Sequence, residues 1–257
     1  MARLSRSFDL PHLKAAVRSS KLGAQLFEWF NRMALPPDQL SVIREDFLGR
    51  AGQALPTWLT TTDLSSAGTP TMDFVASSAG GVWAMKFDTT NEVENIGLYQ
   101  GDNLTWDITK DPILRVRVKI EPDVTGAGGD FAAGDKLVIG LASARNATLD
   151  SITAHAWFRF EGANHNILIE ADDGTTDTDD KDTGIDWVDD TWMLLEIDAT
   201  NRTNVRFKVD GVDVTTSHTF SLPATGNLQF FAEAQKAAAA NFDHRVSFDF
   251  IEAAAVR

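Results

Sequence analysis

Between Trp192 and Val214 apolar and polar side chains alternate with a period of two, the pattern of a pleated strand with one buried face. Met193, Leu195 and Ile197 fall on one face, and Trp192, Leu194, Glu196 and Asp198 on the other. After a polar turn at 199–203, Val205, Phe207 and Val209 alternate with Arg206, Lys208 and Asp210. Asp210-Gly211 accepts the positive φ angles of a tight hairpin, so the chain is expected to fold straight back through Val212 and Val214. The same period runs through 113–121, where Leu114, Val116, Val118 and Ile120 oppose Arg115, Arg117 and Lys119. Further strands are expected at 58–62, 72–76, 82–87, 96–99, 136–142, 152–160, 167–171, 228–234 and 245–251. In 152–160, Ala154, Ala156, Phe158 and Phe160 share one face, and His155, Trp157 and Arg159 the other. Gly80-Gly81, Gly101-Asp102-Asn103, Asp111-Pro112 and 126–129 supply the turns. Many short strands with little helix between them predict an all-β, antiparallel β-sandwich.

Residues 1–37 follow a different period. Asp9 can cap a helix whose first turn tolerates Pro11. Leu22, Leu26, Trp29, Phe30 and Met33 then make one apolar stripe at helical spacing, and Pro36-Pro37 ends it. The expected organisation is a helical arm at 1–37 ahead of a sandwich at 38–257. Through residue 34 the arm carries six bases (Arg3, Arg6, Lys14, Arg18, Lys21, Arg32) against Asp9 and Glu28, a net +4. The whole chain is −14, so the remainder is −18. Two readings of the arm follow: a helix packed on the sandwich, or an arm that docks on a neighbouring subunit of opposite charge.

An acidic body repels nucleic acid and anionic membranes, so neither is an expected partner. No apolar run approaches the roughly 20 residues of a membrane-spanning helix. The first residues lack the apolar core of a signal peptide, and synthesis in a cytoplasm is expected. With no cysteine, disulfides and thiolate metal sites are excluded.

Chemistry is sparse. Residues 170–190 hold ten acids against Lys181. That density demands an exposed loop or a hairpin with a wet tip. A bound calcium ion is the alternative, but the spacing does not match an Asp-x-Asp-x-Asp-Gly loop. The five histidines are scattered, with no pair at the spacing of a helical zinc site, so neither metal nor cofactor is expected. Among the tryptophans, Trp157 and Trp187 are the candidates for exposed platforms against a sugar ring, and Trp83 and Trp192 read as core or inter-sheet residues.

The segment Val205 to Val214 (V-x-F-x-V-D-G-x-x-V) and the closing Val246-Ser-Phe248-Asp-Phe250-Ile251 resemble strands of the concanavalin A-like jelly rolls, the laminin-G and glucanase sandwiches. With Asp46-Phe47-Leu48-Gly49 leading to Trp58, and the strand at 113–121, the chain from about residue 46 looks like the members of that group found in tailed-phage virions. Glucanases of the class place their acids in an E-x-D-x-E motif. Here Glu196-Ile197-Asp198 matches its opening, but Thr200 and Asn201 stand where the closing acid would fall, so the acid/base role is empty. The resemblance therefore implies a noncatalytic virion protein, expected to decorate the capsid surface as a homo-oligomer bound to the major capsid protein. Arg3, Arg6, Arg18, Lys21, Leu22, Leu26, Trp29, Phe30 and Met33 would form its docking surface. A carbohydrate-binding tail or fibre module that uses the concave face of the sandwich is the alternative, with glycan as partner.

Overall fold

The computed structural model describes residues 40–257 apart from 50–51, 77, 79, 122–130, 132, 163, 216 and 238–242. The expected arm, with all nine docking residues, and the turn at 126–129 lie outside the described residues. Residues 42–256 form one compact unit, and it is a sandwich of two antiparallel sheets.

Sheet A runs β14 (Val212–Asp213), β13 (Arg206–Val209), β12 (Met193–Asp198), β7 (Ile113–Glu121), β16 (Arg245–Val256), β4 (Trp83–Lys86) and β3 (Thr71–Phe74), with β1 (Leu40–Glu45) also paired to β16. Sheet B runs β11 (Asp177–Asp186), β10 (Asn166–Asp172), β9 (His155–Glu161), β8 (Lys136–Ala142), β15 (Asn227–Lys236), β5 (Glu94–Tyr99) and β2 (Thr60–Asp63), with β6 (Trp106–Asp107) also paired to β15. The many jumps in sequence between neighbours are those of a jelly roll, not a meander.

The period-2 faces land as expected. Leu114, Val116, Val118 and Ile120 of β7, Leu195 and Ile197 of β12, and Phe207 of β13 are buried between the sheets. They meet Ala156, Phe158 and Phe160 of β9 from the other sheet, with Phe158 edge-on to Phe207 at 5.3 Å. Each such side chain contributes about 1.5–3 kcal/mol by leaving water. Asp210 (φ 49°) and Gly211 (φ 80°) both take the left-handed conformation, and Val209 pairs with Val212 across them. The Asp46 to Gly49 segment turns Phe47 inward, onto Trp83 at 6.2 Å and Phe74 at 6.4 Å. Gly81 (φ 79°) makes this packing fit, because a Cβ there would lie 2.2 Å from the Phe47 carbonyl oxygen.

The acidic stretch is mostly strand. β11 is the ten-residue edge of sheet B, joined to β10 through a tip at 173–176 where the Asp173 carboxylate accepts from the amides of Thr175 and Thr176. Of the two forms expected, it is the hairpin with a wet tip. Two register irregularities along β10–β11 and a row of aspartates blunt this edge against pairing with another chain.

Candidate functional site

The outer face of sheet B was expected to offer Trp157 to solvent. Instead it is closed by the chain's own β8–β9 connection, residues 143–154. Leu149 and Ile152 drop onto Trp157, Phe231, Val138 and Ala142 and form a second small core. Three polar contacts hold the connection down. Arg145 Nε donates to Glu233 Oε2 at 3.0 Å, Gln235 Nε2 to the Ala147 carbonyl at 2.9 Å, and Arg159 pairs with Asp150 at 3.2 Å. Trp157 is 0% exposed, with His155 stacked flat on it at 3.5 Å. Trp187 is 2% exposed, stacked under His165 at 4.4 Å and edge-on to Phe131 at 5.9 Å. Both expected sugar platforms are thus packed inside, and the expectation of exposure is corrected. The alternation put Trp157 on the correct face but could not show that a loop covers that face.

Beneath this cover lies a charged network. On β10, Glu170 is opposite Trp157 and 1% exposed. Burial pushes its carboxyl up, but the hydrogen bond from His155 and the charge of Arg159 outweigh that and leave it below the usual range. His155 Nε2 lies 3.2 Å from Glu170 Oε1, and Arg159 Nη1 lies 3.2 Å from Oε2. Glu233 ends with its carboxyl above the usual range, since burial outweighs the Gln235 and Arg145 bonds. These two carboxyls are each committed to an arginine. At the rim, burial and the neighbouring Asp179 push Asp177 up to about 6.

Glu196 and Asp198, the partial glucanase motif, sit on the outer face of sheet A. Glu196 is flanked by Arg115, whose Nε donates to it, and by Lys208 at 2.7 Å. Burial raises its carboxyl less than these cations lower it, so it stays a locked carboxylate. Trp192 belongs to this same outer face. It is half-buried, with the Arg117 guanidinium 5.1 Å and the Lys119 ammonium 5.5 Å from its ring. That corrects its reading as core: strand parity with Glu196 and Asp198 was the better guide than size.

On the same face Glu121 accepts from Arg245 and Ser247. Burial works against it, but these bonds and Lys119 hold its carboxyl down at about 2. A depressed carboxyl contributes stability that is complete above its ordinary value and lost as pH falls through the folded value. The urea midpoint is therefore expected to drop between about pH 4.5 and 2, and Glu121→Gln to flatten that drop. An unchanged pH slope in the variant would contradict the assignment.

At the other end of sheet B, backbone amides of Ser66, Ala67, Gly68 and Thr69 wrap around the carboxylates of Glu92 and Asp88. Glu94 and Lys236 form an ion pair of 2.6 Å with both side chains 0% exposed. Burial dominates there, and with the nearby Asp88 it pushes Glu94 up to about 7 despite Lys236. These acids are taken up by amides and a lysine, so they pin the β2–β3 connection to the sheet. Among the described residues, no group of histidines and acids is arranged to hold a metal ion.

Two antiparallel sheets with this strand order define a concanavalin A-like jelly-roll sandwich, and solved structures place the chain in that fold class. The protein of unknown function SO2946 from Shewanella oneidensis MR-1 superposes with a TM-score of 0.58 at 14% identity, over 90% of this chain and 93% of that one. The Emp47p carbohydrate recognition domain gives 0.53 at 9% identity, over 85% and 97%. The β-glucanase of Bacillus licheniformis gives 0.50 at 12% identity, over 82% and 97%. At such identities the likeness is one of fold alone. No family model and no curated protein matches the chain.

Proposed function

We propose that this chain is a noncatalytic virion structural protein of a tailed phage, a capsid decoration protein that binds the outer capsid surface and stabilises it. The observation that carries the reading is that the Trp157 face and the Glu196 motif are both taken up by the protein's own side chains. The outer face of sheet B is roofed by 143–154, and on sheet A the Glu196 motif is locked between Arg115 and Lys208. A sandwich whose expected sites are taken up in this way is suited to a role in which it is held in place by another segment. The basic, apolar-striped arm at 1–37 has the composition for that task. It would bury its stripe of Leu22, Leu26, Trp29, Phe30 and Met33 at a seam of the major capsid protein, while Arg3, Arg6, Arg18 and Lys21 meet acidic groups there. Homo-oligomers on the shell surface follow from the repetition of that seam.

Reversing the charge of the arm tests the reading in the full chain. Replacing Arg3, Arg6, Arg18 and Lys21 with Glu takes the arm from +4 to −4. Co-sedimentation with undecorated shells is expected to be lost, while circular dichroism and thermal unfolding stay unchanged. Full retention on the shells would reject the docking role.

A second reading, a carbohydrate-binding module, is favoured by one observation. Trp192 is a half-buried indole on the outer face of sheet A, and an indole face complements the apolar side of a pyranose. The carbohydrate recognition domain of Emp47p shares the fold.

A further inference from the structure

Lys236 closes β15 and stands directly across the ladder from Glu94, the first residue of β5. Its side chain is 0% exposed, as is that of Glu94. Lys86, Lys119 and Lys208 also pair with acids, but their side chains stay 20–31% exposed. At Lys236 a second carboxyl reaches the same point. Asp88, in the β4–β5 connection, places Oδ1 3.8 Å from Lys236 Nζ and is hydrogen-bonded to Glu94. Gly68 gives the two acids room, since a Cβ there would lie 2.7 Å from Asp88 Oδ2 and 2.8 Å from Glu94 Oε1. The amides of Thr69 and Thr90 donate to the two Asp88 oxygens.

We infer that Lys236 and Asp88 become joined by an intramolecular isopeptide bond, with Glu94 carrying protons between them. The ion pair is the state from which the bond forms. Lys236 Nζ attacks Asp88 Cγ, and the amides of Thr69 and Thr90 stabilise the charge that collects on the carboxyl oxygens. The ammonium loses two protons in turn. Glu94, in contact with both partners, takes each from Nζ and passes it to the departing Asp88 oxygen. One C–N bond forms, one C–O bond breaks and one water leaves, with no oxidant or cofactor needed. Position assigns the roles. Burial puts the Glu94 carboxyl up to about 7 despite Lys236, so it accepts and returns a proton near neutrality. Burial works against the Asp88 anion too, but the bonds from Glu94, Thr69 and Thr90 hold its carboxyl below the usual range. The protons that release its oxygen must therefore arrive through Glu94. The amide also removes one positive and one negative charge from a site where desolvation penalises both. It ties the β4–β5 connection to the end of β15 whichever functional reading holds.

Intact mass spectrometry of the denatured full-length chain tests this. The expected mass is one water below that of the sequence. After trypsin, a branched peptide should join 87–110 to 209–245, with Lys236 uncut. Fragmentation of that peptide should place the link on Asp88. Lys236→Arg and Asp88→Ala should each show the full mass of their sequence, and Glu94→Gln should leave most chains unlinked. A wild-type chain that trypsin cuts at Lys236, whether of full mass or with a water lost elsewhere, would overturn the inference. A link made equally well in Glu94→Gln, or one that runs to Glu94 itself, would overturn the roles given to the two acids.

Discussion

Lys236→Met is expected to destabilise the sandwich by about 3–5 kcal/mol near pH 8, the usual cost of removing one partner of a fully buried ion pair. Lys236 donates to the Glu94 carboxylate and to the carbonyls of Asp88 and Thr90, each within 2.7 Å. Without it Glu94 remains as an unpaired buried charge. The deficit carries its own pH signature. Glu94 already takes up a proton near pH 7, and loss of the lysine raises that value further. Below it the carboxyl is neutral and the penalty shrinks towards the lost carbonyl bonds alone. In the wild type the sign is the same: a carboxyl raised from its ordinary value contributes stability below that value and loses it as pH rises through about 7. Urea unfolding of Lys236→Met near pH 5 and pH 8 checks this, with the larger deficit expected at the higher pH. Equal deficits at both would mean that Glu94 is not the group left behind.

Trp157→Ala is the second large effect, at about 3–5 kcal/mol. The indole fills the space between sheet B and its roof, touching His155, Phe231 and the Leu149–Ile152 turn. Its removal opens a cavity and loosens the seat of the Arg145–Glu233 pair. The variant is expected to unfold at lower urea while its shell or glycan binding, per folded molecule, is unchanged. The opposite pattern, a normal midpoint with binding lost, would return Trp157 to the role of ligand platform and unseat the closed-face account.

The strands that face the core were legible because each carries its own period. The stretch Ile113–Glu121 alternates so cleanly that its inner face, from Leu114 to Ile120, matches the strand's buried hydrophobic residues one for one. What the period cannot report is what lies above the outward face. Arg145 to Ile152 has no repeat of its own, so nothing in it announces that Leu149 and Ile152 will roof Trp157. Glu170, Glu233 and Arg145 were missed for the same reason: they are far apart in sequence, and only the neighbouring of β8, β9, β10 and β15 brings them under one cover. Trp192 shows a different failure. Its parity placed it outside with Glu196, whereas its size argued for the core, and parity won, with the β7 cations Arg117 and Lys119 set against the ring. In the acidic stretch, charge density masked strand propensity that the pairing with β10 supplies.

A cryo-EM map of the native assembly tests the central claim most directly. The account predicts jelly-roll density on the outer capsid surface, with residues 1–37 running into a seam of the major capsid protein and the Trp157 face roofed. Recovery of the protein only as a free monomer that hydrolyses polysaccharide would contradict it.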